Sequence, residues 1–181
     1  MDLTSGGRWH LPGYNEKTHC LYLVIEKSDR KVIEAAKIDI INGNDVAVKL
    51  PEFTKAAGIN YNPNCDEIYV PYDNYPTVHV VDFRNNGKVS EIKLPAFGND
   101  ACAIDYKNDI LYIASWAHGE VDIVDLKTRR LIKRVPGLEI LPHMFNIDFN
   151  PFNNLLYIPK GATAVNGSFG AALSVFNPVI D

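Results

Sequence analysis

The stretch Asp109-Ile110-Leu111-Tyr112-Ile113-Ala114-Ser115-Trp116, followed after two intervening residues by Gly119-Glu120-Val121-Asp122-Ile123-Val124-Asp125-Leu126-Lys127-Thr128, decides the fold. It holds two short apolar runs rich in Ile, Val and Tyr, with a small-residue loop between them. Runs this short, β-branched and bounded by Gly, Asn and Asp read as strands joined by tight turns. Val121 and Ile123 alternate with polar neighbours and Leu126 follows after a one-residue slip, a period of two rather than 3.6.

The same pattern recurs on either side. The leading aromatics Tyr14, Tyr61, Tyr106 and Phe149 lie 47, 45 and 43 residues apart, and a second tyrosine follows each of them, at Tyr22, Tyr69, Tyr112 and Tyr157. Next comes a third short run closed by an acid or amide, at Asp39, Asp82, Asp125 and Asn177. Asp82 and Asp125 sit where a short carboxylate can accept from backbone N–H groups of a turn. Arg84-Asn85-Asn86-Gly87-Lys88 ends in Asn-Gly, a strong hairpin signal. Each unit therefore reads as four short strands. The only helical patches, Arg30–Lys37 and Glu52–Ala57, are too short to set the class. A repeat of 43–47 residues matches a propeller blade, so the expected fold is all-β, about four blades of four antiparallel strands.

Composition narrows the function. The 181 residues can bury a core without disulfides. A net charge of −4 without basic patches gives no electrostatic drive toward nucleic acid. No apolar run reaches the length of a membrane span, and Met1–Gly7 carries no export signal. Cys20, Cys65 and Cys102 are too sparse for a disulfide framework and read as small buried residues. Zinc, haem and nucleotide-phosphate motifs are absent from the sequence.

The quoted stretch resembles the YVTN-type β-propeller repeat, and Leu141-Pro142-His143-Met144-Phe145-Asn146-Ile147-Asp148-Phe149-Asn150-Pro151 is similar to its opening strand. The resemblance runs from about Gly13 to Asn177 and implies a fold more than an activity. It implies a periplasmic or extracellular setting. The units fall near 8–50, 56–94, 101–135 and 144–177 within a single domain, and the last supplies only three strands. The chain is then either a four-bladed ring or a piece of a propeller of six to eight blades; the second is favoured, because residues 1–7 make a poor strand. Open blade faces predict self-association or packing with other segments of a larger propeller.

Loops entering the innermost strands gather at one mouth of the channel, and loops on a rigid scaffold carry function. That places Arg8, His10, Lys55, Asp100 and His143 around one axis, a mixed-charge set suited to a small anionic ligand. A metal held by His10, Asp100 and His143 is the weaker use of the same residues, and no metal or cofactor is assigned. The insertion Lys160–Gly170 is an alternative working surface; within it Asn166-Gly167-Ser168 is an N-glycosylation pattern.

A second resemblance is carried by Gly6-Gly7-Arg8-Trp9-His10-Leu11-Pro12-Gly13-Tyr14-Asn15-Glu16-Lys17-Thr18, which is similar to a stretch of pyrroloquinoline-quinone alcohol dehydrogenases. Glu16 and His19 depart from that pattern, and the family's vicinal cysteines are missing. The expected function is a non-catalytic scaffold that binds a ligand or protein partner at the channel mouth or on its open blade faces. The alternatives are a propeller oxidoreductase or its subunit, with quinone, haem or metal at the mouth, and a lactonase-like hydrolase.

Overall fold

The computed structural model describes residues 7–27, 33–51, 56–138, 140, 147–161 and 171–178. The strands form four antiparallel sheets in chain order. Blade one is β1 (Gly7–Asn15), β2 (Cys20–Lys27), β3 (Ile33–Asp39) and β4 (Asp45–Lys49). Blade two is β5 (Asn60–Asn62), β6 (Glu67–Tyr72), β7 (Tyr75–Asp82) and β8 (Lys88–Lys93). Blade three is β9 (Asn99–Asp105), β10 (Ile110–Ser115), β11 (Glu120–Asp125) and β12 (Arg130–Val135). Blade four shows three strands among the described residues: β13 (Asp148–Asn150), β14 (Leu155–Gly161) and β15 (Ala171–Phe176). The first strands sit side by side, β5 against β1 and β9, and β9 against β13, which is the packing of a partial propeller.

Three cores lie between the blades. Tyr22, Val24, Ile33 and Ala35 meet Tyr61, Ile68, Val70 and Val81. Tyr69, Val78, Val80 and Ile92 meet Ile104, Leu111, Ile113 and Val124. Ala103, Tyr112, Val121 and Ile123 meet Phe149, Leu156 and Ile158. β6 and β10 are buried along their whole length because each faces a neighbour on both sides. That explains why they read as unbroken apolar runs while the outer strands β4 and β12 stay largely exposed. On the side of blade four away from blade three, Leu173 and Val175 are 54% and 46% exposed. Cys20 and Cys102 are buried and all three cysteines are free.

Turn chemistry fixes the registers. Asp82 Oδ1 accepts from the Arg84 and Asn85 amides, and Asp125 Oδ1 from those of Lys127 and Thr128, as their place after the third strand predicts. His19, Asp66, Asp109 and Asn154 occupy one repeated turn position with φ of 52–58°. Three of the four are Asp or Asn, the side chains that best tolerate the left-handed region. One expectation fails. The Arg30–Lys37 patch is not helical where it is described: from Ile33 it pairs with β2 as β3. Ladder bonds and burial of Ile33 and Ala35 against blade two override the helical leaning of Glu34-Ala35-Ala36-Lys37. In the second patch, residues 52–55 lie outside the described residues, and Ala56 forms a bridge to Tyr72.

Candidate functional site

The residues singled out at the channel mouth are placed unevenly. Arg8 and His10 lie within β1, opposite Glu26 and Val24, rather than in a loop before it. Asp100 lies within β9, where the register shifts between Ala101 and Asn99. Arg8 and Asp100 are placed by backbone alone, Lys55 and His143 lie outside the described residues, and so do residues 162–170 of the Lys160–Gly170 insertion.

At this same end the structure adds polar groups that sequence reasoning missed. Trp116 donates its indole N–H to Asp73 of blade two at 2.7 Å. Asn99 Nδ2 donates to the Tyr75 and Ala96 carbonyls. Arg134 reaches across from β12 to Glu120 and, at 2.9 Å, to Asp122 Oδ1. Asp122 is 1% exposed, and its Oδ2 has no hydrogen-bond partner among the described residues. Burial therefore outweighs the guanidinium and pushes the Asp122 carboxyl up to about 6. A carboxyl raised in the folded state adds stability at low pH and loses it as pH rises through about 6. Asp122 should contribute about 1 kcal/mol more stability at pH 5 than at pH 7. Denaturant titrations at the two pH values check this; an unchanged difference between wild type and Asp122→Asn would refute it.

The opposite end holds the turns between first and second strands, and there the three blade interfaces diverge. Between blades one and two, Asp66 joins three groups. Its Oδ1 accepts from the hydroxyls of Tyr22 and, at 3.1 Å, Tyr61. Its Oδ2 takes the Lys37 ammonium at 2.6 Å. Asn15 Nδ2 donates to the Tyr61 hydroxyl at 2.9 Å. Tyr22 and Tyr61 stack with centroids 3.8 Å apart. Burial acts to raise the Asp66 carboxyl, but Lys37 and the two hydroxyls outweigh it and hold the group below the ordinary carboxylate range. The result is a closed polar strut.

Between blades two and three the strut is built from other residues. Tyr69 donates to Glu67 Oε2 at 2.5 Å, and Arg129 bonds Glu67 Oε1 at 2.8 Å and the Ser90 hydroxyl. Cys65 lies 3.3 Å from Glu67 Oε2, and burial, then the nearby carboxylate, push its thiol up to about 12. Such a thiol is inert at neutral pH.

Between blades three and four no such strut is formed among the described residues. Tyr112 stands where Tyr22 stands, but Phe149 replaces Tyr61 and Asn154 replaces Asp66 at the left-handed turn position. Ile123 is the residue opposite Tyr112 in the ladder, as Lys37 is opposite Tyr22. A cavity of about 540 Å³ opens there, lined by Tyr112, Phe149, Asn154, Asp105, Lys107 and Asn177 among others. The Tyr112 and Phe149 rings lie 5.3 Å apart, tilted by 31°. Burial raises the Tyr112 phenol, which stays protonated and able to donate. A second hollow of about 250 Å³ beside it shares Asn177 and Pro178 and extends to Lys133 and Arg134. By ladder register Tyr14, Tyr61, Ile104 and Phe149 share one position, so the leading aromatics of the sequence, with Tyr106 two residues out of step, gave no signal for the hollow.

No family model matches the chain. No curated protein matches its sequence. Among solved structures it is similar to hydrazine synthase of Kuenenia stuttgartiensis, with a TM-score of 0.66 and 15% identity, over 87% of this chain and 48% of that one. It is also similar to an auxiliary nutrient binding protein from Bacteroides ovatus, with a TM-score of 0.59 and 18% identity, over 84% of this chain and 35% of that one. The chain thus spans about half and about a third of their lengths. At these identities the likeness is one of fold.

Proposed function

We propose that the chain is a non-catalytic propeller scaffold that binds a small ligand in the cavity between blades three and four. The observation that carries this reading is the hollow interface. Two blade interfaces close the turn end with internal hydrogen bonds, and the third leaves a polar, aromatic-walled space in the size range of ligand sites. The carboxylates at the closed interfaces, Asp66 and Glu67, are engaged in structural struts. A nutrient-binding protein of similar fold supports a binding role by analogy of fold alone. The lengths of the two similar structures support reading the four blades as part of a larger propeller.

The test is a ligand-detected screen of small polar metabolites against wild type, Tyr112→Phe and Arg8→Ala. Loss of one hydroxyl contact should weaken binding about three- to tenfold in Tyr112→Phe, with Arg8→Ala unchanged. Binding that is lost in Arg8→Ala and intact in Tyr112→Phe would move the ligand to the channel mouth formed around Arg8, His10, Lys55, Asp100 and His143, and end the cavity reading.

A further inference from the structure

We propose that the ligand of this cavity is a neutral polyhydroxylated ring, a sugar taken either free or as the terminal residue of a glycan. This deepens the assignment of the ligand to the cavity and rests on it.

The argument begins with hydrogen-bonding character. A sugar hydroxyl both donates and accepts, so a matching wall needs groups that do the same. The side chains of Asn154, Asn177 and Tyr112 line the cavity, and none makes a hydrogen bond among the described residues. Each can give and take a hydrogen bond. Committed polar groups line it too, but they are spent. Asp105 Oδ1 accepts from the Lys107 and Asn108 amides at 3.0 and 3.2 Å, and Oδ2 accepts from Asn108 Nδ2 at 2.7 Å.

Charge and shape point the same way. The lining holds one carboxylate, Asp105, and one ammonium, Lys107, so it carries no net charge. An ionised ligand would leave water for a wall without a dedicated counter-charge, which is unfavourable. Tyr112, Phe149 and Ile110 add apolar surface to the lining beside the polar groups. A pyranose is amphipathic in that sense, with C–H groups on its faces and hydroxyls on its edge. A purely apolar ligand would strand the two amides and the phenol.

Saturation-transfer NMR on the whole chain tests this with three probe sets: neutral monosaccharides and their methyl glycosides, the corresponding uronic acids, and sugar phosphates. Immobilised glycans with neutral termini form a separate arm. Neutral sugars should bind, acidic analogues should bind no better, and Asn154→Ala and Asn177→Ala should each weaken neutral binding about three- to tenfold. Asn177 is exposed, so Asn177→Ala should keep the wild-type melting temperature; Asn154 holds the left-handed turn position, so Asn154→Ala should lower it, and Asn154→Gly, which suits that backbone, repeats the binding test without the strain. Equal binding of free sugars and glycosides identifies a free ligand, and binding of glycosides and glycans alone identifies a terminal residue. Acidic probes that bind tenfold tighter than neutral ones, with the same dependence on Tyr112, would overturn the sugar and leave the cavity standing. Absence of any probe whose binding responds to Tyr112→Phe would overturn both.

Discussion

Asp66→Ala should destabilise the chain by about 3 kcal/mol, the low end for removing one partner of a buried ion pair. The substitution strands three groups at once. Lys37 loses its counter-charge, and the Tyr22 and Tyr61 hydroxyls lose their acceptor. The pair is partly solvated, with side chains 24% and 14% exposed, which is why the low end applies. Asp66→Asn keeps an acceptor for the tyrosines and forfeits the ion pair, so it should cost less. Urea unfolding of the three proteins measures this. A loss under about 1 kcal/mol for the alanine variant would mean that the strut behaves as an exposed salt bridge.

A second large effect is expected at Gly87. The hairpin after β7 turns through a short 3-10 segment, Phe83–Asn85, and then through Asn86 and Gly87, both at positive φ. Gly87 has φ of +73°, and a Cβ there would overlap the Cγ2 of Val48 on β4 of blade one. Gly87→Ala therefore meets two penalties, about 1–2 kcal/mol of left-handed strain and about 1–3 kcal/mol of overpacking. Trimming Val48 to alanine should recover the packing part and leave the backbone part. A double-mutant cycle by chemical denaturation separates them, and strictly additive losses would show that Val48 and Gly87 do not couple.

The strand framework was readable because sterics and burial write themselves locally. The apolar runs around Tyr69 and Tyr112 are what a twice-buried strand requires, and Asp82 and Asp125 could be assigned to turns from position alone. The site was less readable. Symmetry reasoning put chemistry at the entry of the first strands, yet Arg8, His10 and Asp100 fall inside those strands. The cavity is defined by what three residues lack. Ile123, Phe149 and Asn154 look like ordinary blade residues until set against Lys37, Tyr61 and Asp66, which meet only when two blades are placed face to face. Long-range partners such as Trp116 with Asp73 have no local signature either.

The uneven interfaces also set how the chain opens. A stack in which each blade leans only on its neighbours behaves nearly as a one-dimensional array, whose local stability follows its weakest junction. That junction is the one beside blade four, which has three strands among the described residues and meets blade three across a hollow. Amide protons of β14 and β15 should therefore exchange with solvent through small openings that leave blades one and two folded. A ligand seated in the hollow would slow that exchange by mass action, linking occupancy of the site to the integrity of the terminal blade.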